Sequence, residues 1–434
     1  MEASQLTEAP APLVELEAAR RLVLERTAVL APASVPVCEA LGMVLAEEVF
    51  APEPVPAHDN SAMDGYAVRA ADLAGATAER PVVLRVVGES RAGEPHRFHP
   101  FPRYRKEKGG NDADGRLSAG EAIAISTGAV APAGADAVVP VEMTAGRNGS
   151  VEVIGEVLAG ANVRRAGEDV RSGELVLARG RRIGPAELGA LALAGRTVVD
   201  CARRPRVGIA ISGDELIQSH EPMRPGAVRD ANSFTVPALA AQAGAEVPML
   251  EHAPDSPGAT RDAIARALEA DVTVICGGVS VGRHDLVRPA LAGLGVDEVF
   301  WRVAVRPGKP VFLGVRPGGG IVFGLPGNPV SAMVSFLLFV RPALLAMQGR
   351  DPWPRTVTAV FGCDYAKKPG RAEAVRCRLD DDRGTWVATP TKEQGSHVLT
   401  SMLGADGLAI LPADAAVVRA GERVEVELLP GVSA

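Results

Sequence analysis

Rings are scarce in this chain. Of its 434 residues only 4% are aromatic, whereas glycine and proline number 47 and 34. That balance predicts many turns and short strands, and the regular apolar runs between the turns argue against disorder. The five cysteines (38, 201, 276, 363 and 377) are odd in number, far apart and free of C-x-x-C spacing. That pattern argues against a disulfide framework and a structural metal site, and a reducing, cytoplasmic setting fits. Positive charge is also short: 46 Lys and Arg face 53 Asp and Glu, for a net charge of −7. Such a chain lacks the basic footprint of non-specific nucleic-acid binding, so any anion must be met by local clusters and backbone N–H groups. No long hydrophobic run exists. The longest, 330–340, is too short to span a bilayer, stops at Arg341-Pro342 and reads as a buried helix, so no membrane partner is expected. The first twelve residues lack the basic start and apolar core of a signal peptide. G-x-G-x-x-G, G-x-x-x-x-G-K-[ST] and a nucleophile elbow are missing too, which excludes a dinucleotide fold, a P-loop ATPase and a readable catalytic triad.

What is present is order along the chain. Residues 14–30 carry apolar positions on a helical period with charges between them, an amphipathic helix. Pro52, Pro54 and Pro56 force an extended lead into the polar segment around Asp64. From 81 to 142 short β-like runs alternate with turns. Inside them lies 93–120, a stretch without apolar periodicity that contains Arg97, Arg103, Arg105, Lys106 and Lys108 and reads as a mobile surface loop. Short strands recur over 151–177, and Pro185 opens a helix to 193.

After residue 205 the character changes. Strands at 206–211, 272–276, 300–305 and 321–323 alternate with helices at 232–243, 259–270 and 286–294, and Asn328-Pro329 caps a long helix to about 347. This alternation predicts a parallel sheet with crossover helices. The tail, 356–429, returns to short strands, hence a small barrel or sandwich. The fold class is multidomain α/β and β. It divides into an elongated domain I for dimerisation (12–55 with 150–184), a β-rich domain II (56–149), an α/β domain III (185–350) and a C-terminal barrel-like domain IV (351–434).

Ligands of open parallel sheets collect at the carboxyl ends of the strands. Four loops fall there: Ser212-Gly213-Asp214-Glu215, Gly277-Gly278-Val279-Ser280 continuing to His284-Asp285, Arg306-Pro307-Gly308-Lys309-Pro310, and Gly324-Leu325-Pro326-Gly327-Asn328-Pro329. Glycines let a backbone approach a phosphate, and helix N-termini add partial positive charge. Ser280 can donate a hydroxyl, and Asp214 and Asp285 can hold a divalent ion. Lys309 offers a mobile point charge and Arg306 a planar fork. His284 reads as a loop residue rather than a metal ligand. A Gly-Gly after a strand is often only a tight turn, but four such loops at one edge favour an anion site.

The same residues resemble a known family. N-S-A-M-D-G-Y-A-V (60–68), S-T-G-A-V-A-P-A-G-A-D-A-V-V-P-V-E (126–142) and N-V-R-R-A-G-E-D (162–169) look like successive signatures of the molybdopterin molybdenumtransferases, the MoeA proteins and the gephyrin E domain. G-D-E-L, R-D-A-N, G-G-V-S-V-G-R-H-D, R-P-G-K-P, G-L-P-G-N-P-V-S-A, K-K-P-G-R and Q-G-S-H follow in the same order. The resemblance implies a homodimer of four-subdomain chains that inserts molybdate into adenylated molybdopterin and releases AMP, aided by Mg2+. It assigns the pterin and its phosphates to Ser212, Gly213, Asp214, Gly277, Gly278, Ser280, Pro326, Gly327 and Asn328. Molybdate falls to Lys309, Arg371, Ser396 and Arg306. Asp64, Asp255 and Asp285 become the catalytic acids, with Asp64 delivered by the other subunit and Asp285 and Asp255 holding the metal. Glu142, Glu168 and Asp230 match further acidic positions. A molybdopterin-adenylating protein and apo-molybdoenzymes become candidate partners.

Three departures stand out. Arg306 replaces a lysine of some members, 93–120 is long for the family, and His58 replaces an aromatic residue. Asp255 lies in His-Ala-Pro-Asp, where the family usually shows Arg-Asp-Asp. Two other activities stay open: a gephyrin-like scaffold, against which the full set of polar loop residues argues, and adenylation of molybdopterin, against which the extra domains argue.

Overall fold

The computed structural model describes residues 13–93, 99–100, 116–147, 149–279, 286–391 and 393–432. They form two compact units. One comprises the described residues up to Val35, Gly42–Ala46 and those from Asp200 onward, the other Pro36–Leu41 and the described residues between Glu47 and Val199.

The larger unit is built on a six-stranded sheet. Its strands, in chain order, are β1 (Arg206–Ser212), β2 (Glu246–Ala253), β3 (Val272–Cys276), β4 (Asp297–Trp301), β5 (Phe312–Val315) and β6 (Ile321–Leu325). Their spatial order is β2-β1-β3-β6-β5-β4. The first four are parallel, as the β–α alternation predicts, whereas β5 runs antiparallel to both β6 and β4. The sheet is therefore mixed at one edge. Strand side chains alternate between faces, so Ile209, Ile211, Val274 and Phe323 join one core with Val236, Ala240, Val334 and Leu338, while Ala210, Ile275 and Val322 join another with Ile264, Ala267, Val287 and Leu291. Helices thus cover both faces.

The expected strand over 300–305 is really two. Arg302 takes a left-handed φ of 74°, which an extended strand does not accommodate, and β4 ends at Trp301. Val305–Arg306 then pairs in parallel with Ala372–Glu373 of the C-terminal sheet. The N-terminal helix is shorter than its periodicity predicts, Leu16–Glu25, and Thr27 Oγ1 donates to the Val23 carbonyl at 2.8 Å beyond its end. Residues 329–347 form one apolar helix with a π segment at Phe336–Val340, in the turn before Pro342, which has no N–H to give to the preceding turn. It is long and apolar enough to cross a membrane, yet 78% of that window is buried inside the protein. The C-terminal strands run Val305–Arg306, Ala372–Asp382, Thr385–Pro390, Thr356–Phe361, Arg423–Leu428, Gly407–Leu411, and the last pairs back onto Ala372–Asp382. That closure makes the barrel expected from the short strands.

In the second unit the main sheet runs Thr144–Arg147, Ser150–Val153, Val82–Ser90, Glu121–Ile125, Gly65–Val68, Ala137–Pro140. Gly65 has a steric reason to be glycine: a Cβ there would lie 1.9 Å from the Val139 carbonyl oxygen. Most of the basic stretch over 93–120 lies outside the described residues. At its described end Leu117 is buried, against the expectation of a purely surface loop.

Candidate active site

Register and glycine together shape the carboxyl edge of the larger unit's sheet. Ile211 pairs with Cys276 and Cys276 with Leu325, so the loops that follow β1, β3 and β6 leave the sheet side by side. Gly277 donates its N–H to the Leu325 carbonyl at 3.1 Å. At φ 92° it packs backbone to backbone, since a Cβ would stand 2.6 Å from the Ser212 carbonyl oxygen. Gly278 is left-handed as well (φ 64°), with Val287 in the space a Cβ would fill. Asn232, buried on the next helix, donates to the Gly327 carbonyl at 2.8 Å and fixes the last loop.

Two carboxylates of this edge are linked. Ser212 Oγ donates to Asp255 Oδ1 at 2.6 Å, the Asp214 N–H donates to Asp255 Oδ2 at 3.3 Å, and the Asp255 N–H donates to Asp214 Oδ1 at 3.0 Å. Asp255 therefore joins Asp214 despite its unusual sequence context. Ser280, His284 and Asp285 lie outside the described residues. Among the described residues no cluster of three metal-binding side chains occurs. Mg2+ takes one or two carboxylates and keeps several waters, and Asp214 and Asp255 are linked carboxylates described at this edge. Asp230 lies deeper. Its buried carboxylate accepts from the Ser233 N–H at 3.0 Å and from the Ser233 hydroxyl; burial, and then this carboxylate, pushes the Cys276 thiol up to about 12. That cysteine is inert at neutral pH.

The 306–310 loop leaves the same edge, because β4 runs parallel to β6 through β5. The Lys309 carbonyl accepts from both Val303 and Val311 N–H groups at 3.0 Å, which pins the tip while the ammonium stays exposed. Gly308 (φ 105°) lies against Ser335 of the long helix. Arg306 then enters the ladder with Glu373, and the Ala372 N–H donates to the Ala304 carbonyl at 2.9 Å. Arg371 immediately precedes that ladder. Asn328 closes the group: its Nδ2 donates to Ser396 Oγ at 3.1 Å. The structure thus brings the loops of Lys309, Arg371, Ser396 and Asn328 together.

It also gives Arg306 a partner that sequence alone did not offer. Glu373 is 3% exposed, lies 3.8 Å from Arg306 Nε and accepts from the Tyr365 hydroxyl at 3.0 Å. Burial, then Glu373, pushes the Tyr365 phenol up to about 12. Burial draws the neighbouring Arg376 guanidinium down to about 10 and takes the Lys367 ammonium below its ordinary value. Lys367 Nζ donates to the Arg371, Pro412 and Ala415 carbonyls at 3.1, 2.7 and 3.0 Å, so it holds the Arg371 loop rather than a ligand. The signal for Glu373 and Arg376 was present in A-E-A-V-R-C, two charges inside a run otherwise suited to a barrel interior.

In the second unit, segments far apart in sequence meet at Asp64. Its Oδ1 accepts from the Thr127 N–H at 2.7 Å and the Thr127 hydroxyl at 3.1 Å. Asn60–Ser61 pairs with Val163–Arg164, and Asp59 accepts from Arg165 Nη1 at 2.6 Å and the Ala166 N–H at 2.8 Å. The Ala166 amide and Arg165 hold Asp59 below the usual carboxylate range. Glu168 accepts from the Arg165 N–H and shapes the same turn. Glu142 is exposed.

Three family models match along the chain: the MoeA N-terminal region (domain I and II) over residues 14–195, a probable molybdopterin-binding domain over 208–346 and the MoeA C-terminal region (domain IV) over 358–429. Molybdopterin molybdenumtransferase 2 of Mycobacterium tuberculosis is 36% identical over 418 residues, covering 94% of this chain and 97% of that protein. The chain belongs to the molybdopterin molybdenumtransferase (MoeA) family. The Haemophilus influenzae molybdopterin molybdenumtransferase is 34% identical, covering 90% of this chain and 92% of its own length. Two structures of the molybdopterin biosynthesis MoeA protein from Pyrococcus horikoshii superpose with TM-scores of 0.77 and 0.74 at 31% and 30% identity, each covering 96% of this chain and 99% and 100% of its own. Membership makes the chain a transferase of molybdenum cofactor biosynthesis.

Proposed function

We propose that this MoeA-family chain inserts molybdenum from molybdate into adenylated molybdopterin and releases AMP. The observation that carries the reading is the parallel ladder between Val305–Arg306 and Ala372–Glu373, which joins the Lys309 loop to the Arg371 loop. Together with the Asn328–Ser396 bond it ties the segments that carry Lys309, Arg371 and Ser396 to a glycine-lined edge. A tetrahedral dianion suits such donors, because charge-assisted bonds from Lys and Arg are about twice as strong as neutral ones. In this reading Lys309, Arg371 and Ser396 grip molybdate, and Arg306 steadies the loop through Glu373. Ser212, Gly213, Asp214, Gly277, Gly278, Ser280, Pro326, Gly327 and Asn328 line the edge that receives the pterin and its phosphates, whose close approach the glycines allow. The acids are Asp255 and Asp285, which would hold Mg2+. That ion would offset the repulsion between two anionic reactants. Asp64 enters on the family resemblance alone, as do a homodimer, a four-domain division at the boundaries given above, partnership with an adenylating protein and apo-molybdoenzymes, and a cytoplasmic site of action.

The test is cofactor synthesis from purified protein, adenylated molybdopterin, Mg2+ and molybdate. Lys309→Ala is expected to raise half-saturating molybdate about 10- to 100-fold, the effect of losing one hydrogen bond to a charged group. Asp255→Ala is expected to raise the Mg2+ requirement. Molybdate dependence unchanged in both Lys309→Ala and Arg371→Ala would remove these residues from the anion site.

A further inference from the structure

The glycine loop after β3 owes its footing to a residue from a strand three places away in the sheet. Trp301, the last residue of β4, donates its indole N–H to the Val279 carbonyl at 3.1 Å. Its ring also lies 4.0 Å from the Arg288 guanidinium carbon. Val279 stands at the start of the loop and Arg288 in the helix Val287–Gly293 that follows it, so one side chain touches both anchor points. Each contact is well supported. Val279 is 1% exposed and fills the space above Gly324, where a Cβ would meet its Cγ1 at 2.6 Å. Arg288 is held by Glu298, with Nε and Nη2 at 3.2 and 2.8 Å from one carboxylate oxygen. On the ring, a second guanidinium, that of Arg302, also lies 4.0 Å from the centroid. Arg302 pays for that position with a left-handed φ of 74°, unusual for a residue with a side chain.

An N–H bond in a half-buried setting fixes one point and a cation over an indole face fixes a second, and together they hold Val279 in place relative to the helix Val287–Gly293. The same tryptophan is also five residues before Arg306, on the connection to the anion loop. We propose that Trp301 is a positioning residue that holds the Gly277-Gly278-Val279 turn against the start of the helix Val287–Gly293, so that the turn is placed to receive the pterin substrate. The inference rests on the reading of that turn as part of the pterin site.

Trp301→Phe keeps a ring beneath the guanidiniums and deletes only the N–H donor. Assayed in the full chain, it is expected to raise the KM for adenylated molybdopterin about five- to tenfold, with kcat altered less than twofold, the molybdate KM unchanged and the thermal midpoint within a degree or two of the parent. A KM for adenylated molybdopterin equal to that of the parent overturns the proposal. Asp214→Asn, assayed in parallel, separates the two readings: if it raises that KM and Trp301→Phe does not, the clamp is wrong while the site stands, and if neither does, the edge is not the pterin site. An optical readout is independent of turnover. In a Trp353→Phe, Trp386→Phe background only Trp301 emits, and its fluorescence is expected to shift on adding adenylated molybdopterin. An emission spectrum that ignores saturating adenylated molybdopterin also overturns the clamp.

Discussion

Asn328 gives its side-chain amide to Ser396 and not to the helix it precedes. The residue occupies the N-cap position with extended backbone, but no side-chain cap bond is made, and the amide reaches Ser396 Oγ at 3.1 Å instead. Asn328→Ala should therefore weaken the anion site without loosening the helix. Half-saturating molybdate is expected to rise about fivefold, as for one neutral hydrogen bond, while the urea midpoint stays where it was. A fall in midpoint of the size expected for a lost cap would show that the side chain serves the helix after all.

Gly308 is the position where the anion loop meets the long helix. Its φ is 105° and a Cβ would stand 2.5 Å from Ser335 Oγ. Gly308→Ala is expected to lower unfolding free energy by about 2–3 kcal/mol, the sum of backbone strain and steric push. Gly318→Ala is the control, with φ 81° and open space around it, and is expected to lose only about 1 kcal/mol. Equal losses would mean that the loop does not press on Ser335.

Glu373→Gln removes the charge between Arg306 and Tyr365. Because Arg306 is itself half-exposed and 3.8 Å away, the cost is expected to be about 1–2 kcal/mol rather than the larger figure for a sealed pair. A sharper check is optical. The Tyr365 phenol, pushed up to about 12 by burial and then by Glu373, should titrate lower in the variant yet stay above its ordinary value of 10.0, since burial persists. An unmoved ultraviolet phenolate titration would show that the carboxylate is not felt.

Acid stability carries a signature of Asp271. Burial pushes its carboxyl up, but two bonds of 2.9 Å from Arg203 and one of 2.8 Å from the Arg206 N–H outweigh that and leave it below its ordinary value of 3.8. A carboxyl lowered by folding stabilises the protein above its unfolded pKa, and that contribution is lost as pH falls through the folded one. Stability is thus expected to drop below about pH 4, and Arg203→Met should flatten the drop. Parallel pH curves for the two proteins would exclude this pair as a source.

Much of this molecule could be read from its sequence, and the exceptions have physical causes. The parallel strands were visible because short apolar runs alternate with amphipathic helices, and Asn328-Pro329 marks the start of the long helix correctly. The 300–305 run misled because Phe, Trp and three valines or alanines look like one strand, while the break is a backbone state at Arg302 that composition does not encode. The site loops were legible through their glycines. Their connections were not: that Arg306 faces Glu373, that Thr127 holds Asp64 and that Lys367 gives two of its three bonds to the Pro412 and Ala415 carbonyls depend on pairings across more than 60 residues or nearly 50.

The two-residue ladder between Val305–Arg306 and Ala372–Glu373 also bears on how such chains can be recombined. A chimera that exchanged the C-terminal barrel at a junction near residue 350 would inherit its strand edge from one parent and the short strand that completes it from another. Register at that seam would then decide where Arg371 stands relative to Lys309. Barrel and anion loop should accordingly travel together in any productive exchange, and sequence variation at 305–306 should be tolerated only with matching change at 372–373.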